Sequence, residues 1–188
     1  MNIAEAINKI IHGDALEVLK QLPSESVNEV ITSPPYWSCR SYLDENHPQK
    51  SKEIGLEDHP QQYIDKIVEV CKECMRILRK DGVFFLNIGD VFYTPTNTGG
   101  EDRINNEFNK ILEHRINVRG KYKSNWLKPK QRLLLPFRIA IALQEEGFII
   151  RDMIIWAKKI SIYPQKESIG KTIPFPVKDR FLHAYEYI

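Results

Sequence analysis

No run of apolar residues in this 188-residue chain is long enough to cross a bilayer as a helix. The opening residues, Met1-Asn2-Ile3-Ala4-Glu5, lack the basic-then-apolar form of a secretory leader, so the expectation is a cytoplasmic protein with no membrane partner. Cysteine is scarce. Cys39, Cys71 and Cys74 are an odd set, which argues against a disulfide framework. Cys71-Lys72-Glu73-Cys74 has the spacing of a zinc or redox pair, but no second pair or histidine cluster accompanies it. It falls inside a helical pattern, so the two thiols are expected to fill space and no metal is expected. A strong charge imbalance is missing too: the net charge is +2, which excludes a polycation. What remains is an ordinary globular composition, 42% hydrophobic and 28% charged, with enough residues for one substantial core.

Apolar periodicity gives the elements. Ile7 to Ile11 reads as a short strand closed by Gly13-Asp14. Asp14 with Glu17 three residues on has a capping-box arrangement, and Leu16, Leu19 and Leu22 give the next helix its apolar face until Pro23. Val27 to Ile31 is a strand, and Cys39 to Pro60 a polar loop. Gln62 to Lys80 is the clearest helix, with Arg79 and Lys80 suited to its C-terminal dipole and Gly82 as its cap. Val83 to Ile88 reads as a strand buried on both faces. Pro136 can open a helix that runs to Gly147; Phe148 to Trp156 and Leu182 to Ile188 are further strands. Alternating strands and helices predict an α/β sheet with helices on both faces. Ligands gather beyond the carboxyl ends of such strands, so Asp14, Ser33 and Asp90, each following a strand, are expected to share one rim.

Two segments carry chemistry. Ser33-Pro34-Pro35-Tyr36 directly follows the Val30-Ile31 run. The prolines fix φ, remove two N–H donors and push the preceding residues out of the helical region. Ser33 and the Pro34 carbonyl become rigid acceptors beside the flat Tyr36 ring, an arrangement suited to an exocyclic amino group on a planar base. The second segment, Arg115 to Arg132, holds seven basic residues and no acidic one, with Tyr122 and Trp126 interleaved. Cations for phosphate and rings for bases are the composition of a nucleic-acid contact surface; a solvated loop is the alternative. This segment belongs to a long polar insertion at about 93–128.

Thr32-Ser33-Pro34-Pro35-Tyr36-Trp37 resembles the catalytic motif of the amino-methylating DNA methyltransferases, which make N4-methylcytosine or N6-methyladenine. Other pieces follow in the family's order. Gly13-Asp14-Ala15-Leu16 is similar to the segment before that motif, and Gly82 to Asp90 to the next core strand. Leu135-Pro136-Phe137-Arg138 and Ile154-Ile155-Trp156 resemble the following helix and strand, and Val177-Lys178-Asp179-Arg180 with Tyr185-Glu186-Tyr187-Ile188 the late block near the target base. One departure is large. The family's glycine-rich turn of the Phe-x-Gly-x-Gly type is absent, the only adjacent glycines being Gly99-Gly100 in a polar stretch.

The resemblance implies a Rossmann-like sheet for binding S-adenosylmethionine, incomplete at the C-terminus, in a single partial catalytic domain over residues 1–188. A permuted methyltransferase cut short, a fragment, or one half of a split enzyme whose second chain supplies the missing turn would each read this way. It also implies double-stranded DNA as substrate and a base rotated out of the duplex. Ser33, Pro34, Pro35 and Tyr36 would be catalytic and Asp14 would contact the cofactor, unless it is only a helix cap. Trp37, Asp90, Lys121, Lys123, Asp179 and Arg180 are candidates for base or DNA contact. Core filling is the alternative for Trp37, a turn cap for Asp90 and a surface ion pair for Asp179 and Arg180. Serine at the first motif position favours cytosine N4 over adenine N6. A non-catalytic DNA-binding subunit, a remnant, and an RNA or small-molecule methyltransferase of the same fold stay open.

Overall fold

The computed structural model describes residues 1–93, 122–157 and 185–188. Its centre is a parallel pair, β1 (Val27–Thr32) with β2 (Leu78–Leu86), in register from Glu29 opposite Val83 to Thr32 opposite Leu86. Parallel neighbours need a long crossover. Here it runs through the polar loop, a short 3₁₀ turn (Lys50–Lys52) and the long helix α3 (Pro60–Ile77). Of the apolar face expected at Ile64, Ile67, Val68, Cys71, Met75 and Leu78, the first four are buried; Met75 is exposed and Leu78 lies in β2, and Tyr63, Cys74 and Ile77 complete the buried face. Burial pushes the Cys71 and Cys74 thiols up to about 12 and about 11.

The ends of α3 differ from expectation. His59 caps its N-terminus, with Nδ1 accepting from the Gln61 N–H and the Gln62 side chain reaching back, so the helix opens at Pro60. It stops at Ile77, not Lys80. Leu78 turns extended at φ −67°, ψ 140°, and pairs with Val27, taking Arg79 and Lys80 into β2. Gly82 is therefore no helix cap. It sits beside a ladder irregularity, where a Cβ would lie 2.9 Å from the Arg79 carbonyl and 3.0 Å from that of Asn28. Nor is β2 buried on both faces: Val83 is half exposed and Phe84 to Leu86 are part-buried.

The expected strand at Ile7 to Ile11 is also absent. Asn2 and Glu5 form a capping box that starts a short helix, α1 (Ile3–Ala6), after which the chain is irregular and Ile10 wholly exposed. The helix α2 (Ala15–Lys20) packs on α3 and is held there by Arg76, whose guanidinium donates to the Leu19 and Leu22 carbonyls at 2.8 and 2.9 Å. α4 (Leu135–Glu145) has Pro136 in its first turn and Gly147 beyond its end at φ 94°, as predicted, and packs Leu135, Ile139 and Leu143 into the core with α3. The strand expected over Phe148 to Trp156 shrinks to β3 (Ile155–Ala157), antiparallel to β4 (Tyr185–Tyr187). The fold is α/β. Among the described residues the single expected sheet is two short ones, joined where the Ile88 N–H donates to the Tyr187 carbonyl at 3.0 Å. That junction brings β4 to the carboxyl ends of β1 and β2.

Candidate active site

The ladder between β1 and β2 ends with the Asn87 N–H donating to the Thr32 carbonyl at 2.9 Å, so Ser33 leaves the sheet at its rim. Two clamps then shape the turn. The Tyr63 hydroxyl, reaching up from α3, donates to the Pro35 carbonyl at 3.0 Å. Ser38, in the left-handed region at φ 56°, donates its N–H to the Gly55 carbonyl at 2.7 Å. Gly55 is at φ 96°, and a Cβ on it would lie 3.0 Å from the Tyr36 carbonyl. The buried Glu57 carboxylate accepts from the Gly55 N–H at 2.9 Å and pairs with Lys66 at 3.0 Å. The loop is tied again where Lys50 meets Ser41, the Leu43 carbonyl and Glu53, which in turn accepts from the Tyr42 N–H. These bonds hold the motif as a fixed surface. Ser33 Oγ is exposed, and the Pro34 carbonyl has no hydrogen-bond partner among the described residues.

Tyr36 is fixed by three further residues. Its ring lies flat against Gly89, where a Cβ would stand 2.5 and 2.6 Å from ring carbons Cδ2 and Cε2. Its hydroxyl meets Glu186 Oε2 at 2.9 Å and Asn87 Oδ1 at 3.1 Å, and Ser33 Oγ donates to it at 3.3 Å. Asn87 Nδ2 also donates to Glu186 Oε2 at 3.3 Å. Burial pushes the Tyr36 phenol up to about 12; the Ser33 hydrogen bond opposes the shift and the Glu186 carboxylate adds to it.

The other candidates fall in different places. Trp37 is buried in the core, its indole N–H donating to the Glu57 carbonyl at 2.8 Å and its ring edge-on to Tyr122. The Asp90 carboxylate is fully buried; it accepts from the Leu135 N–H at 3.1 Å and pairs with Arg132 at 3.4 Å, tying the rim to the start of α4. Asp14 caps α2, accepting from the Glu17 N–H at 3.2 Å. No hydrogen bond or ion pair joins it to the Ser33 group among the described residues. Lys123 is exposed, near the half-exposed Trp126 over which Arg138 lies at 5.5 Å. Lys121, Asp179 and Arg180 lie outside the described residues. The structure thus gathers Ser33, Tyr36, Asn87, Gly89 and Glu186. Asn87, Gly89 and Glu186 stand in recognisable segments, but nothing in their spacing gives them a contact. Tyr63 reads in the sequence only as one more apolar position of α3.

The family described as DNA methylase, of the N6/N4 class, matches residues 27–188. Type II methyltransferase M.SfiI of Streptomyces fimbriatus is 35% identical over 175 residues, 93% of this chain and 33% of that protein. M.Cfr9I of Citrobacter freundii is 35% identical over 180 residues, 95% of this chain and 52% of that one. The fold resembles the PvuII DNA methyltransferase (cytosine-N4-specific) with a TM-score of 0.53 at 20% identity, over 93% of this chain and 45% of that one. It also resembles a DNA modification methylase of Thermus thermophilus complexed with S-adenosyl-L-methionine, with a TM-score of 0.50 at 23% identity over 93% and 49%. The chain spans a third to about half the length of these curated relatives.

Proposed function

The chain belongs to the N6/N4 DNA methylase family, and from that premise we propose that it is the catalytic part of a restriction-modification DNA methyltransferase. Its reaction transfers a methyl group from S-adenosylmethionine to the exocyclic amine of a flipped base, cytosine N4 in preference to adenine N6. One observation carries this reading. An exposed serine oxygen, an open Pro34 carbonyl and a tyrosine ring locked from behind by Gly89 stand together at the sheet rim. Serine at position 33 and the cytosine-N4 specificity named for the PvuII enzyme support the choice of cytosine.

The residues act by position. An aromatic amine is a poor nucleophile because its nitrogen lone pair is spread into the ring. Ser33 Oγ and the Pro34 carbonyl accept its two hydrogens, which favours a pyramidal nitrogen and localises the pair. Tyr36 stacks on the base and holds the amine against these acceptors. The rate comes from orientation and fixed dipoles, with no covalent intermediate on the protein. The described residues fit one end of the cofactor. Asp14, a partly exposed residue, uses only Oδ1 in capping α2, which leaves its second oxygen to take an ammonium group. When bound, S-adenosylmethionine supplies an electrophilic methyl group.

The fraction of the relatives' length that the chain covers favours a second reading, in which transfer also needs polypeptide carrying the glycine-rich turn. Calorimetric titration with S-adenosylmethionine, followed by methylation of cytosine- and adenine-labelled duplexes, tests both. Binding with label transferred to cytosine N4 is expected. Transfer to adenine overturns the base assignment. No binding by the chain alone, restored by a polypeptide supplying the turn, establishes the second reading.

A further inference from the structure

Tyr36 joins Ser33 to Glu186, and the direction of that chain of hydrogen bonds can be worked out. A carboxylate only accepts, while a phenol has one hydrogen to give. Asn87 Nδ2 faces Glu186 Oε2, which turns Asn87 Oδ1, also an acceptor, toward the phenol. Both partners on that side of Tyr36 therefore accept, and its hydrogen is committed to them at 2.9 and 3.1 Å. The phenol oxygen can then only accept from Ser33, 3.3 Å away. Ser33 gives up its single hydrogen inward, and its lone pairs remain on the exposed side.

We propose that Glu186, with Asn87, is a positioning residue. It sets the direction of the Ser33-to-Tyr36-to-Glu186 chain and so makes Ser33 Oγ an acceptor for the substrate amine. Without the carboxylate the phenol can turn its hydrogen toward Ser33, and the serine hydroxyl is free to point at the base as a donor, the wrong polarity for an amine. The inference rests on the functional reading above for the identity of the substrate; the orientation of the hydroxyls does not.

Tyrosine ring-carbon NMR on the labelled chain reads the orientation without DNA or cofactor. Tyr36 is expected to stay neutral at pH 11 in the parent, and the wholly buried Tyr63 reports that the fold persists. Glu186→Gln is expected to lower the Tyr36 midpoint, and Ser33→Ala to hold the phenol neutral to higher pH. An unmoved midpoint in Glu186→Gln overturns the inference. In duplex methylation, Glu186→Ala is expected to lower kcat about tenfold, the worth of one hydrogen bond, with KM for DNA unchanged. In a Tyr36→Phe background it should cost nothing further, because its effect passes through the hydroxyl. An equal loss in both backgrounds overturns the inference. Midpoints that move as expected in a parent that methylates no duplex, even with the glycine-rich turn supplied, overturn the functional reading and leave the hydroxyl chain in place.

Discussion

Ser33 and Gly89 make opposite demands at the residue scale. In the proposed reaction Ser33 must keep an oxygen; Gly89, packed on the Tyr36 ring, must keep nothing at all. Ser33→Ala is expected to abolish methyl transfer while leaving DNA affinity within about twofold, since the exposed hydroxyl carries no packing. Equal rates for mutant and parent would remove Ser33 from the chemistry. Gly89→Ala puts a methyl 2.5 Å from the Tyr36 ring, so ring or backbone must move. Overpacking of this kind costs about 1–3 kcal/mol, and methyl transfer should fall at least tenfold as the stacking face tilts. Urea unfolding and single-turnover rates measure the two effects; an unchanged rate would mean that the ring position does not matter.

Two tethers decide how the elements sit. Arg76 spends one guanidinium on α2 and its exit, bonding the Leu19 and Leu22 carbonyls, Ser24 Oγ at 3.1 Å and Glu73 at 2.7 Å. The Leu19 carbonyl also accepts from the Leu22 N–H at 3.0 Å, so the guanidinium is an added donor there, while the Leu22 carbonyl lies beyond the end of α2. Arg76→Ala should lower stability by about 2 kcal/mol in urea denaturation, because charged hydrogen bonds are lost and the part-buried Leu22 carbonyl is left open. A change under about 0.5 kcal/mol would show that water replaces the guanidinium without cost. The second is the contact proposed with DNA. Lys121 and Lys123 flank Tyr122, whose ring packs against Trp37, Tyr93 and His59. Tyr122 is anchored in this way, Lys123 next to it in the chain is exposed, and Arg138 lies over the Trp126 ring at 5.5 Å. Changing both lysines to Ala should weaken DNA binding and reduce the slope of log affinity against log salt by up to about 2. A slope equal to the parent's would mean that this segment touches no phosphate.

Across the whole molecule, four weak acids share one consequence of burial. Tyr63, Tyr36, Cys71 and Cys74 all have raised ionisation midpoints, first because their charged forms lose water. A raised midpoint in an acid favours the neutral form in the fold. The associated stability is full below the ordinary values of 10.0 for tyrosine and 9.0 for cysteine, and is lost as pH climbs through the folded values of about 11 to 12. The urea midpoint should therefore hold near pH 8 and fall steadily from about pH 9 to 12. A flat profile over that range would mean that these groups ionise without unfolding the core.

The sequence alone determined the α/β alternation, the buried face of α3, the Pro136 start and Gly147 end of α4, and the strand leading into Ser33-Pro34-Pro35-Tyr36. Each is a local property: periodicity, a fixed proline φ, a left-handed glycine. The tertiary structure decided where α3 stops, because Leu78 gains more from pairing with Val27 than from another helical turn, and no spacing rule contains that competition. It decided that the Ile7 to Ile11 run stays out of any sheet, since an apolar run becomes a strand only where a partner ladder is offered. Above all it decided what surrounds Tyr36. Asn87 is 51 residues from it and Glu186 is 150 residues away. Only the folding of β4 against the ends of β1 and β2 turns three scattered polar residues into one directed chain of hydrogen bonds. Such contacts are non-local, and a side chain's partners across the fold leave no mark on its own neighbourhood in sequence.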